Sequence, residues 1–158
     1  MWLPDETFKS IIQYTPLISI DLIVRNEKGE VLLGKRVNAP AKGNWFVPGG
    51  RVRKNETLDN AFIRLLREEL GIESGITRID AKFLGIFEHF YNDCVFGNDV
   101  STHYVVIAYE IKINFILNII KTSQHNSFLW YAENDILKDN IEINRYTLQY
   151  FMKNSSRD

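Results

Sequence analysis

Apolar residues alternate with polar ones in some stretches of this chain and recur at intervals of three and four in others. From Leu17 to Arg25 the order is LISIDLIVR. Ile18, Ile20, Leu22 and Val24 fall on one face, which predicts a strand. Asn26-Glu27-Lys28-Gly29 supplies a hairpin turn, and Glu30 to Arg36 the return strand. Lys82 to Tyr91 and Thr102 to Ile113 alternate over long runs and predict two further strands, joined by a polar loop at 92–101. Ser127 to Tyr131 predicts another. Helical spacing appears three times. Pro4 with Asp5 and Glu6 opens a short helix whose stripe is Phe8, Ile11 and Ile12. Leu58, Ala61, Phe62, Leu65 and Leu66 mark a helix over Thr57 to Leu70, capped by Asn55 or Thr57 and ended by Gly71. Ile141 to Met152 predicts a last helix, with Asn154 to Asp158 frayed beyond it. Asn38 to Gly50 reads as a loop holding a short apolar piece, Trp45-Phe46-Val47. Interspersed strands, hairpins and helices predict an α/β (α+β) fold: a mixed sheet covered by helices.

Composition narrows the class. The chain has 158 residues, which predicts one domain over 1–158. Its formal net charge is −1, so no global basic field recruits nucleic acid. Locally, Arg36, Arg51, Arg53, Arg64 and Arg67 crowd one third of the sequence. Cys94 is the only cysteine, so no internal disulfide forms, which fits a reducing compartment. The start, MWLPDETFKS, lacks the basic and apolar regions of a signal peptide. No apolar run approaches the ~20 residues that span a bilayer. The expectation is a cytoplasmic protein that binds neither membrane nor nucleic acid.

The chemistry concentrates in GNWFVPGGRVRKNETLDNAFIRLLREELGI, from Gly43 to Ile72. Gly49-Gly50 permits unusual backbone angles and close approach of backbone to a ligand. On the helix that follows, Leu65 and Glu69 share one side, as do Arg64 and Glu68. A carboxylate beside exposed glycine carbonyls offers hard oxygen ligands for Mg²⁺. By residue type alone, the same pattern also fits a solvated helix face with Arg–Glu pairs.

The stretch resembles the Nudix box: G, five residues, E, seven residues, then R-E-U-x-E-E-x-G-U with U apolar. Gly50, Glu56, Arg64, Leu66, Glu68, Glu69, Gly71 and Ile72 match. Leu65 departs, standing at the first glutamate of the R-E pair. The resemblance implies the Nudix fold, a mixed sheet sandwiched between helices, with a nucleoside-diphosphate-linked substrate and a divalent metal. Nearly the whole chain is similar to the branch of GDP-mannose mannosyl hydrolases, which shares the missing glutamate and attacks carbon. The segments that carry this are Thr15-Pro16-Leu17, Gly34-Lys35-Arg36, Trp45 to Val52, His89-Phe90-Tyr91, Thr102 to Val106 and Gln124-His125.

That resemblance implies hydrolysis of GDP-mannose, and of GDP-glucose as a further substrate, to GDP and free sugar with inversion at C1. It implies one Mg²⁺ per subunit, replaceable by Mn²⁺, on the Gly50 carbonyl, the Glu69 carboxylate and the Gln124 amide. It makes His125 the general base, Arg36, Arg51 and Arg64 the leaving-group arginines, with His89 and Tyr104 as further leaving-group contacts, and Asp21 a sugar contact. Trp2, Leu3 and Phe8 match guanine-contacting positions, the first two reaching over from the partner in a homodimer. Read without the family, Gln124-His125 is a solvated loop, Asp21 an outward strand residue, Tyr104 a sheet residue and Trp2 an N-terminal anchor. Arg53 and Arg67 read as surface pairs, Glu56 and His103 as structural, and Glu68 ranks below Glu69. Two other functions remain open: a conventional Nudix pyrophosphatase attacking phosphorus, and a non-catalytic nucleotide-sugar-binding module. Leu65 and Gln124-His125 favour the hydrolase acting at carbon.

Overall fold

Residues 17–25 form the strand around which the fold is arranged. The computed structural model describes residues 2–118, 125–136, 138 and 142–152, with backbone alone at 125 and 126. In order they form α1 (Asp5–Tyr14), β1 (Leu17–Arg25), β2 (Val31–Arg36), β3 (Trp45–Phe46), β4 (Gly49–Arg51), α2 (Leu58–Leu70), β5 (Lys82–Tyr91), β6 (Thr102–Lys112), β7 (His125–Tyr131), α3 (Glu133–Ile136) and α4 (Arg145–Leu148). The seven strands make one mixed sheet with the central order β3-β2-β1-β6-β5. β1 runs parallel to β6 from Leu17–Tyr104 to Arg25–Lys112. Its other edge is divided: β4 pairs with Ser19 to Asp21, and β2 meets it at Arg25. β7 lies on the far side of β2.

β1 is covered on both faces, which explains its near-continuous apolar run. Ile20, Leu22 and Val24 pack with Phe62, Leu65 and Leu66 of α2 on one side. Ile23, with Val31 and Leu33, packs against Ile136 of α3 and Phe151 on the other. A smaller cluster joins Ile12 of α1 to Leu17, Cys94 and Val100. The expected sandwich of a mixed sheet between helices is therefore present. Ile18, which alternation places on one face with Ile20, is 51% exposed and lies outside the cluster that α2 forms.

α2 follows its sequence signals. The Thr57 hydroxyl accepts from the Asn60 N–H at 3.1 Å, and Gly71 ends the helix at φ +68°. Three expectations change. The loop at 38–50 contains β3 and the first residues of β4, because the chain there finds strand partners in β2 and β1. β7 starts at His125, two residues before the expected Ser127, and His125 pairs with Arg36. The last helix is one short turn instead of Ile141 to Met152. Before it, the Trp45 N–H donates to the Glu142 carbonyl at 2.7 Å and the Asn144 N–H to the Trp45 carbonyl at 3.0 Å. Those bonds hold the chain extended until the Asn144 side chain accepts from the Tyr146 N–H and starts α4. The expected fraying at 154–158 lies outside the described residues. No helix among the described residues is long and apolar enough to cross a membrane.

Candidate active site

Between α1, the start of β1, β4 and α2 opens a cleft of about 290 Å³. Ten of the residues that the resemblance assigns a binding, metal or catalytic role line it: Trp2, Phe8, Asp21, Arg36, Gly50, Arg51, Arg64, Glu69, His89 and Tyr104. Leu3 is half-buried and does not line it. Gln124 lies outside the described residues. The His125 backbone stands beside Arg36 at the head of β7; its side chain lies outside the described residues. Trp2 borders the cleft of its own chain.

The glycines of β4 allow the cleft floor to close up. A Cβ on Gly50 would stand 2.6 Å from Leu65 Cδ2. One on Gly49 would strike the Ile20 carbonyl and stand 2.7 Å from Asp21 Oδ1. Leu65, at the position of the missing glutamate, is 1% exposed and packs directly on Gly50.

The glutamates of α2 and the preceding loop divide by burial and partner. Arg64 grips Glu56 with Nε at 2.6 Å and Nη2 at 3.0 Å, gives Nη1 to Glu68 at 3.0 Å, and gives Nη2 to the Arg51 carbonyl at 2.8 Å. Arg64 thereby holds the Glu56 carboxyl below its ordinary range. Arg53 also faces Glu68, at 3.6 Å. Glu69 is different: 7% exposed, with Oε2 making no hydrogen bond among the described residues. Burial first, then Glu68, pushes its carboxyl up to about 7. An unpaired buried carboxylate oxygen is costly unless a proton or a cation compensates it. Among the described residues no three His, Cys, Asp or Glu side chains cluster as a metal site. Among the described carboxylates that line the cleft, Glu69 is the one with a buried oxygen lacking a hydrogen bond, and a hard carboxylate oxygen suits Mg²⁺ or a similar divalent ion.

Cations line the rest. The Arg36 guanidinium stands 5.6 Å over the Phe46 ring and reaches the Asn38 carbonyl at 3.3 Å. Arg51 stands 4.8 Å over Phe8; burial, with Arg53 next, lowers its pKa. Asp21 lies deep in the cleft, and burial pushes its carboxyl up to about 6. His89 is 6% exposed and stacks on Tyr146 at 4.4 Å; burial drives its pKa down to about 4. The imidazole is neutral near pH 7 and contributes an N–H, with no positive charge. Burial also raises the Tyr104 phenol, which keeps its proton. Tyr150 was not singled out from sequence, yet its hydroxyl donates to Asp21 Oδ2 at 2.6 Å. No local pattern signals it, because the contact joins opposite ends of the chain.

The family model described as NUDIX domain matches residues 15–151. The low-salt glycan biosynthesis protein Agl8 of Haloferax volcanii is 46% identical over 112 residues, covering 71% of this chain and 69% of that protein. An RNA pyrophosphohydrolase of Pseudomonas aeruginosa is 39% identical over 61 residues, covering 39% of this chain and 36% of its own length. Among solved structures, a MutT NUDIX hydrolase from Burkholderia pseudomallei is similar with a TM-score of 0.67 and 25% identity, covering 87% of this chain and 96% of that one.

Proposed function

The chain belongs to the Nudix hydrolase family, and on that premise we propose that it hydrolyses GDP-mannose, or a related GDP-hexose, by attack of water at the sugar C1. The observation that carries this reading is Leu65. It replaces a box carboxylate with a buried methyl group against Gly50, while Glu56 and Glu68 are taken up by Arg64. Glu69 is left as the buried box carboxylate free to meet a cation. That supports one metal, where attack at phosphorus in this family draws on several glutamates. The similarity to a protein whose name concerns glycan biosynthesis supports a nucleotide-sugar substrate.

Nudix hydrolases use divalent metals. Here the Gly50 carbonyl and Glu69, joined by Gln124, would hold Mg²⁺, which supplies Lewis-acid stabilisation of the departing diphosphate. The chain's own groups do the rest. Arg36 and Arg51 present guanidinium donors to phosphate oxygens. Arg64, in the same cleft lining, joins them at the leaving group and also ties Glu56 and the Arg51 carbonyl to α2. Neutral His89 and protonated Tyr104 donate hydrogen bonds to the leaving group as its charge develops. His125 takes a proton from water. The water oxygen bonds to C1, the C1–O bond breaks, and its electron pair leaves on GDP. Attack opposite the leaving group inverts the centre and releases β-mannose. Asp21 meets the hexosyl group and stabilises its oxocarbenium character. Phe8 contacts guanine, with Trp2 and Leu3 reaching the neighbouring site in a homodimer.

Incubation with GDP-mannose and Mg²⁺ in ¹⁸O-water tests the site of attack. Label in mannose, with GDP as the other product, is expected. Label in phosphate, with GMP and sugar phosphate, makes the protein a pyrophosphatase and ends this reading.

A further inference from the structure

The Tyr150 hydroxyl reaches Asp21, a residue of the cleft lining, from the turn after α4, 129 positions along the chain. Its ring is seated edge-on against Phe87, with centroids 4.9 Å apart. The other Asp21 oxygen, Oδ1, lies against Gly49, where a Cβ would stand 2.7 Å away. The carboxylate is therefore wedged between a glycine and a phenol. Tyr150 has one hydroxyl proton, and the 2.6 Å contact directs it to Asp21, with His89 Nε2 farther off at 3.5 Å. Burial, reinforced by Asp21, drives the phenol pKa far up, so the group stays a donor at working pH.

We infer that Tyr150 is a positioning residue, whose O–H fixes the orientation in which the Asp21 carboxylate faces the sugar. The inference rests on the reading above that Asp21 meets the hexosyl group. A hydrogen bond to a carboxylate is short and directional. Without it, the Asp21 group turns about χ2 to seek another donor, and its alignment with C1 is lost. Small misplacements of this kind lower the chemical step more than binding.

Tyr150→Phe keeps the ring and its contact with Phe87 and removes only the donor. With GDP-mannose, kcat is expected to fall about 10- to 100-fold while KM changes less than about twofold. Added to Asp21→Asn, Tyr150→Phe lowers kcat no further, because both act through one carboxylate. A substrate-free measurement stands beside these. The Asp21 carboxyl, followed by ¹³C NMR, titrates about half a unit or more higher in Tyr150→Phe, because a donor to the charged form is gone. An unmoved Asp21 titration, or a lowered melting temperature with wild-type kcat, overturns the inference. If the wild-type protein releases no GDP from any GDP-hexose, the proposed reaction falls. The Asp21 titration then still decides whether Tyr150 holds the carboxylate.

Discussion

Asp21 carries its charge at a cost to folding. Burial raises its carboxyl from 3.8 to about 6, against the opposing effects of the Tyr150 hydroxyl and Arg36. A group whose folded pKa is raised contributes stability that is complete below the unfolded value and lost as pH rises through the folded one. Asp21→Asn removes the charge and keeps an oxygen for Tyr150. The variant should therefore unfold at higher temperature than wild type at about pH 7.5, by up to ~3 kcal/mol in unfolding free energy, with the gap closing near pH 4. Calorimetry at both pH values checks this, and an equal gap at each refutes burial as the cause. His89 has the opposite sign. Its depressed pKa of about 4 means stability falls as pH drops from about 6.5 towards 4. At this scale the box residues were readable, since Gly50, Leu65 and Glu69 keep fixed spacings. The burial that sets the charge of Asp21 and His89 was not, because alternation places a residue on a face without saying what covers that face.

Among the elements, α2 and the C-terminal turn do different work. α2 brings Leu65 onto Gly50 and Glu69 into the cleft through consecutive turns of one apolar stripe. Leu65→Ala empties space at the contact with Gly50 and should cost about 2–5 kcal/mol, measured by urea unfolding. A loss below ~1 kcal/mol would show that the floor collapses to fill the gap. The C-terminal turn completes β5, the edge strand. The Tyr146 hydroxyl accepts from the Phe90 N–H and donates to the Phe90 carbonyl, both at 2.8 Å, as a neighbouring strand would. Tyr146→Phe should lower stability by about 1–3 kcal/mol and speed amide exchange at Phe90. Unchanged exchange at Phe90 would mean that the edge is protected by something else. The signal for this turn was present in Asn144, an N-cap residue. The apolar spacing from Ile141 masked it, because the extended pairing with Trp45 overrides helical period.

For the molecule as a whole, the net charge of −1 says little about the site, where Arg36, Arg51, Arg53 and Arg64 gather around a buried glutamate. A divalent cation there would compensate Glu69. Mg²⁺ should raise the melting temperature of the wild-type protein and leave Glu69→Gln unmoved, with chelation reversing the effect. An equal rise in both proteins would assign the ion to other ligands.

The strands at 17–25, 82–91 and 102–112 and the helix at 58–70 were written in neighbours two to four positions apart, and the box that contains this helix in fixed spacings from Gly50 to Ile72. Periodicity and caps act at that range, so a linear reading recovers them. The divided edge of β1, the extended run before α4 and the bond from Tyr150 to Asp21 join residues far apart in the chain. Their energies exist only once the sheet has brought those residues together, so the assembled fold alone decides them.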